Sequence, residues 1–439
     1  MNLSNYESFG RYPKYKPADV LKVFWRNEIP QLNKLEYPIL PYGLGKSYGD
    51  SCQNDNGILI DIRGLNKLIA FDSEQGILKC EAGVTLADIL KFVVPHGWFL
   101  SVTPGTKHIT VAGAVANDVH GKNHHNAGTF GNHVLQFELL RSNGERIICS
   151  PSQNSELFSA TIGGLGLTGL ITWVEFKLKP SPTPFFAVES EKFDSLDGFF
   201  DINEESEKNF EYIVSWVDTS SSGHSLGRGL YNRGNHADPT KQELPNLPKD
   251  RQIPFPFDAP FINSASVYAF NLLYFNKQIN RIERSISHFD PFFYPLDAVN
   301  GWNKAYGKKG FLQYQFVVPF GNDKFAIREV LRHVSKAGLS TFLTVLKTFG
   351  TIQSPGMLSF PRPGVNLAID FRFSGEKTLK VLKEVDAIVR ENGGAWYPAK
   401  DARMSSADFK RSYPRWKEFS QYIDPHFSSS FWRRVMELD

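Results

Sequence analysis

The chain has 439 residues, 41% hydrophobic and 14% aromatic, more than one typical domain and ample for a core, so two domains are expected. Its 49 basic and 46 acidic residues nearly cancel, which removes the global electrostatic case for nucleic acid, and Cys52, Cys80 and Cys149 lie too far apart for a disulfide framework or a cysteine zinc site. Residues 1–16 lack the apolar core of a secretory signal and no apolar run is long enough to span a bilayer, so a cytoplasmic protein, or one peripheral at the inner membrane, is expected.

After an N-terminal arm, the apolar run 37–40 leads into PYGLGKSYGDS (41–51), where Gly43, Gly45 and Gly49 open the backbone. GILIDIRGL (57–65) alternates like a half-buried strand, and GILKCEAGV (76–84) reads as its neighbour. Thr85 and Asp88 have the spacing of a capping box ahead of the helix LADILKFVVPHG.

Residues 104–133, PGTKHITVAGAVANDVHGKNHHNAGTFGNH, combine dense glycine with few large apolar side chains. Gly105, Gly113, Gly121, Gly128 and Gly131 let the main chain turn sharply or press against a flat, charged ligand. Backbone N–H groups freed in such turns suit a pyrophosphate, and Thr106, Thr110, Asn117 and Asn123 can add side-chain bonds. A dinucleotide is the natural guess, yet the spacing is neither a Rossmann fingerprint nor a P-loop, so another architecture must hold it. Alone, the stretch reads equally as a surface loop; the second glycine stretch at 41–51 favours a cradle. His120, His124, His125 and His133 have no carboxylate or cysteine partner at ligand spacing, and no metal is expected.

HVLQFELLRSNGERIICS (133–150) predicts a hairpin turning at Asn143-Gly144, SELFSATIG a short helix, and GGLGLTGLITWVEFKLKP (163–180) a glycine turn entering a strand stopped by Pro180 and Pro182. The composition shifts near Phe185, which is taken as a domain boundary. Residues 217–265 are polar and then proline-rich, a poor candidate for regular structure: either a surface insertion or a lid gripping an apolar tail with Phe255, Phe257 and Phe261. Strand 310–319, helix 323–338, strands 340–350 and 364–373 and helix 376–394 follow, the order of an antiparallel sheet with helices on one face and Gln313, Gln315, Lys347 and Asn366 on the other. The expected architecture is α+β: a first domain at 1–182, a second at 183–394, and an aromatic, basic segment at 395–439 returning to the first.

GLGKSYGD (43–50), PGTKHITVAGAVANDVHGKNHHNAGTFGNHV (104–134), GGLGLTG (163–169), YPLDAVNGWNKAYGKKGFLQYQFVVP (294–319) and YPAKDAR (397–403) together resemble the flavin oxidoreductases of the vanillyl-alcohol-oxidase superfamily, and within it the decaprenylphosphoryl-β-D-ribose 2′-oxidase family. The resemblance implies FAD held by Gly43, Leu44, Gly45, Lys46, Ser47 and Tyr48, by Gly105, Thr110, Val111, Ala112 and Gly113, by Asn117, Val119 and His120, and by Ile171 and Tyr397. Many superfamily members bond the flavin covalently through a histidine where this chain has Lys46, so non-covalent FAD is expected. For the substrate site the resemblance points to Lys122, Gln315, Lys347, Asn366 and Lys400 together with Tyr48 and His120. The family's inhibitor-reactive cysteine is replaced here by Ala368.

What the family does with such a site is to oxidise the ribose 2′-hydroxyl of a polyprenyl-phosphoryl ribose, the first half of an epimerisation toward the arabinose donor of cell-wall arabinan. That implies a lipid-linked sugar phosphate substrate, an NAD(P)H-dependent keto-reductase partner and work at a membrane surface. Moving a hydride from carbon to flavin leaves an alkoxide that needs a cation or a proton acceptor, and a buried lysine supplies either. Lys400 is the candidate, set against a surface lysine paired with Asp401, with Tyr48 and His120 beside it as further catalytic residues; Lys122 and Lys347 would neutralise phosphate or reduced flavin. The alternatives are an aldonolactone or alditol oxidase acting on a soluble polyol, which Lys46 counts against, and a non-catalytic sugar-phosphate or nucleotide-binding protein, which Lys400 and the intact loops count against.

Overall fold

All four residues of Ile58–Asp61 are buried because this strand is the centre of a parallel sheet, flanked by Asp19–Lys22 and Ile39–Tyr42. A strand covered on both faces and both edges has no wet side to alternate toward, so the half-buried pattern expected of 57–65 is not realised. Nor is 76–84 its neighbour: Ile77–Glu81 pairs with Leu68–Asp72 and Leu170–Pro180 in a separate antiparallel sheet. Periodicity reports that a segment is a strand, and partner choice depends on the rest of the domain.

The computed structural model describes residues 6–240, 242–247, 253–255, 258 and 262–438. Among these, the second sheet runs Leu68–Asp72, Ile77–Glu81, Leu170–Pro180, Val134–Leu140, Arg146–Cys149, with Trp98–Leu100 also on Leu170–Pro180. Val134–Leu140 and Arg146–Cys149 form the expected hairpin, with Gly144 at φ 88° where a side chain would strain the turn. Thr85 caps helix Leu86–Val93 through the reciprocal Asp88 bonds of a capping box. Thr110 caps the short helix Val111–Ala116, its Oγ1 accepting from the Gly113 amide at 3.2 Å.

The third sheet is antiparallel and has the order Ile282–His288, Phe185–Phe193, Gly229–His236, Tyr212–Val217, Thr344–Phe349, Gly364–Arg372, Phe311–Val318, Ala395–Trp396. Gly229–His236 lies inside the span expected to lack regular structure, and helix Ser264–Asn276 closes that span. The polar Asn232 of this strand looks into a cavity rather than a core. Phe257 and Phe261, expected to grip an apolar tail, lie outside the described residues.

Helices Leu196–Asn209, Asp323–Lys336 and Glu376–Glu391 cover one face of this sheet. Ile327, Val330, Leu331, Leu382, Val385 and Val389 meet Phe316, Leu346, Leu367 and Ile369 there. Each such side chain contributes about 1.5–3 kcal/mol when fully buried, so this face fixes the strand register. Register then dictates the other face: Gln313, Gln315, Lys347 and Asn366, out of phase with the core residues, carry no helix above them and line the cavity.

Residues beyond Ala395–Trp396 cross to the parallel sheet. The Ile39 amide donates to His426 O and the Ser428 amide to Ile39 O. Arg434, on helix Ser430–Met436, donates to Asp50 Oδ1 at 2.7 Å and to Asp401 Oδ2 at 2.8 Å, tying the first glycine loop to the Lys400 segment.

Candidate active site

A cavity of about 1100 Å³ lies between the glycine loops and the uncovered sheet face. Ligand sites for drug-sized molecules span about 300–1,000 Å³, so there is room for a dinucleotide with a substrate beside it.

The first loop, 43–48, turns at Gly45, whose φ is 59°. A Cβ on Gly49 would stand 1.6 Å from Asp401 O, so glycine there lets the loop touch the Lys400 segment. The amides of Leu44, Gly45, Lys46 and Ser47 donate to no acceptor among the described residues, although all four residues line the cavity. Backbone donors are rarely left unpaired, and a run of them facing a cavity suits an anionic ligand such as a pyrophosphate. From the second loop, Gly105 presents an open wall, with nothing within 4 Å of where its Cβ would be. These features fit FAD. Gly43, Leu44, Gly45, Lys46, Ser47, Tyr48, Gly105, Thr110, Ala112, Gly113, Asn117, Val119, His120, Ile171 and Tyr397 all reach the cavity. Val111 does not: its side chain is in the domain core and its amide is taken by Val84 O, because it is the first residue of a helix packed on the sheet.

His120 is placed by its neighbour. Asp118 has φ 40° and is fully buried; its carboxylate accepts from the Gly131 amide at 2.9 Å and from the Ser354 and Ser359 hydroxyls, pinning the 354–359 loop against the loop that carries His120. The His120 ring lies 2.9 Å from Lys347 Nζ at Nδ1 and 3.0 Å from the Gln315 amide at Nε2. Gln315 in turn donates to Asn366 Oδ1 at 2.9 Å, and Lys347 Nζ to Gly121 O at 2.6 Å. Burial, with Lys347, His124 and Lys400 nearby, holds His120 well below the usual histidine range, so it is neutral. Gln315 Nε2 donates both to Asn366 and to His120, so the neutral imidazole accepts at Nε2 and carries its proton at Nδ1, on the side of Lys347. The Asn366 Nδ2 has no partner among the described residues, although the residue is 1% exposed and lines the cavity.

Lys400 Nζ lies 3.7 Å from the centre of the Tyr48 ring. Its pairing with Asp401, the alternative raised by the sequence, does not occur, since Asp401 is taken by Arg434 and the Met404 amide. Burial brings Lys400 down to about 7, with Asp370 opposing and Lys46 adding to the shift. Lys347 falls to about 7 through burial and the charge of Lys122, and Lys122 to about 7 through burial alone. Lys122 Nζ donates to Phe292 O at 2.6 Å at the edge of the apolar part of the cavity, where Trp216, Val214, Phe270, Tyr274 and Phe342 form the walls.

The remaining histidines serve structure: His124 Nδ1 accepts from the Gly350 amide at 3.2 Å, while His125 and His133 bond the Phe210 and Ala127 carbonyls. No group able to hold a metal occurs among the described residues. Sequence reading passed over Trp216, on an unassigned strand, and Asp370, whose period-two spacing puts it on the same sheet face as Asn366 and Ala368.

Residues 26–150 match the FAD binding domain family. The chain is 37% identical over 422 residues, 91% of its own length and 89% of the relative's, to the decaprenylphosphoryl-β-D-ribose oxidase of Mycolicibacterium smegmatis. Shorter likenesses are to L-gulonolactone oxidase of Bos taurus, 31% identical over 35% of this chain and 36% of that one, and to cytokinin dehydrogenase 7 of Oryza sativa, 29% identical over 40% and 35%. With FAD-suited glycine loops and a likeness that spans both the parallel-sheet domain and the antiparallel sheet, the chain belongs to the decaprenylphosphoryl-β-D-ribose oxidase family of FAD-binding oxidoreductases.

Proposed function

We propose that the protein oxidises the 2′-hydroxyl of a polyprenyl-phosphoryl-β-D-ribose to the 2′-keto sugar with non-covalently held FAD, and that a separate NAD(P)H-dependent reductase completes an epimerisation. The observation that carries this reading is the meeting of Lys400, Tyr48, His120, Lys347, Gln315 and Asn366 on one cavity wall beside both glycine loops. The relative's substrate, a lipid-linked ribose by its name, suits that wall.

FAD, when bound, accepts the hydride equivalent of the alcohol. Lys400 receives the hydroxyl proton: with its pKa near 7 a large fraction is free amine at neutral pH, the condition for a general base. The Tyr48 ring stabilises the ammonium that results. Asn366 offers its unpartnered Nδ2 to a sugar oxygen, and Gln315, His120 and Lys347 hold it in place. Lys122 and Lys347 supply positive charge for the phosphate. Trp216, Phe270, Tyr274 and Phe342 take the start of the prenyl chain. Helix Ser264–Asn276 turns Tyr268 and Leu273 outward, 55% and 71% exposed, and this surface makes the peripheral membrane contact. No helix among the described residues is long and apolar enough to cross a membrane. Lys46 stands where a flavin-linking histidine would be and cannot form that bond, so denaturation is expected to release all the yellow colour into the supernatant.

The test is anaerobic. A prenyl-phosphoryl-ribose should bleach the flavin of the wild-type protein, Lys400→Ala should slow bleaching by orders of magnitude, and free ribose should be inert. Bleaching by a lactone or free polyol instead would move the protein to the aldonolactone or alditol oxidases, and a colourless protein would mark a binding protein of the same fold.

A further inference from the structure

Strand Gly364–Arg372 carries Asn366 and Ala368 in the cavity wall, and the next residue of that alternation is Asp370. It is 1% exposed and makes no ion pair within 4.0 Å among the described residues. Its carboxyl accepts instead from Gln313 Nε2 at 2.6 Å and from the Tyr306 hydroxyl at 3.4 Å. A buried carboxylate served by neutral donors is unfavourable as packing, since an asparagine would accept the same Gln313 bond without a charge to desolvate.

Its setting supplies the reason. The nearby wall is cationic, with Lys46, Lys122, Lys347 and Lys400. Tyr306 stacks on Phe311 at 4.2 Å, Phe311 meets the Tyr48 ring edge-on at 5.3 Å, and Tyr48 lies under Lys400. Tyr306, Phe311 and Tyr48, the rings that link the two groups, are all buried. Asp370 is close enough to act electrostatically on Lys400 and on the Tyr48 hydroxyl.

We propose that Asp370 is a positioning residue: held by Gln313 and Tyr306, its carboxylate is the counter-charge that sets how firmly Lys400 keeps the proton taken from the sugar hydroxyl. The idea rests on the role given to Lys400 above. The other titratable or charged groups around the pair are Tyr48, Tyr306, Lys46 and His120, and Asp401 is occupied by Arg434. Burial raises Asp370 to about 7 and brings Lys400 down to about 7, and each charge opposes the other's shift, favouring the ionised form of its neighbour.

Asp370→Asn keeps the acceptor for Gln313 and removes the charge. The flavin-loaded protein, without substrate, is acylated with acetic anhydride across pH, and labelling of Lys400 is read by mass spectrometry. The labelling midpoint is expected to move about one unit to lower pH in Asp370→Asn. Tyr306→Phe, which weakens the hold on the carboxylate, moves it less in the same direction, and Asp370→Glu brings it back. In turnover, the acid limb of kcat/KM follows the same shift with KM little changed. An unmoved midpoint in both Asp370→Asn and Tyr306→Phe overturns the proposal. Because labelling needs no turnover, that result stands apart from any failure of the lipid-linked sugar to react.

Discussion

Lys400 and Ala368 show how much one position decides. Removing the Lys400 amine takes away a general base but none of the groups proposed to hold FAD, so Lys400→Ala is expected to keep its flavin spectrum and slow reduction by about 100- to 10,000-fold, read by stopped-flow absorbance. Ala368 lines the cavity, where the resemblance places a reactive thiol, and Cys52, the cavity's own cysteine, is pushed up to about 12 by burial. The wild-type protein should therefore resist thiol-directed covalent inhibitors that Ala368→Cys admits, as mass spectrometry of the treated proteins will show. His124, held down to about 3 by burial first and the Lys347 and His125 charges second, gives a pH dependence of stability. Below pH 6.5 the unfolded chain binds a proton that the folded one refuses, so stability falls with falling pH, by at most about 1.4 kcal/mol per pH unit for this group. His124→Gln, which keeps an acceptor for the Gly350 amide, should flatten that slope in denaturant titrations.

At the scale of elements, the first glycine loop is shaped by contact as much as by conformational freedom. Gly49 has an ordinary negative φ, yet its missing Cβ is what lets Asp401 O approach. Gly49→Ala must push one main chain from the other, a change that in packed interiors costs about 1–3 kcal/mol, and it should also weaken retention of flavin on dialysis. Sheet elements follow a different rule. The strand Gly364–Arg372 is buried on both sides, but its helix-facing residues are apolar, and on the other face Asn366 and Ala368 line the cavity with Asp370 buried next in the alternation. That alternation was readable, which is why the polar strand residues were expected on an uncovered face.

The whole molecule is closed by its C-terminal segment. Asp50 and Asp401 come from far-separated parts of the chain and share one guanidinium, that of Arg434, with Asp50 completely buried. Arg434→Ala leaves a buried carboxylate unpaired, a class of change that costs about 3–5 kcal/mol. The expected outcome is a large drop in thermal midpoint together with faster loss of flavin, because the same clamp holds the glycine loop against the Lys400 segment.

The sequence by itself determined the local order: the capping box at Thr85, the Asn143-Gly144 hairpin, the strand–helix–strand–strand–helix run of the antiparallel sheet and the glycine loops that suit FAD. Each rests on neighbours in the chain, on turn chemistry or on side-chain period, which short windows record. Tertiary structure alone decided that Ile58–Asp61 and Ile77–Glu81 belong to different sheets, that the polar run around Gly229–His236 is a strand, that Val111 turns into the core, and that Asp401 serves Arg434 rather than Lys400. These outcomes depend on which surfaces meet after collapse. Burial and the charges brought in from distant segments also set the titration of Lys400, Lys347 and Asp370, and no local pattern encodes them.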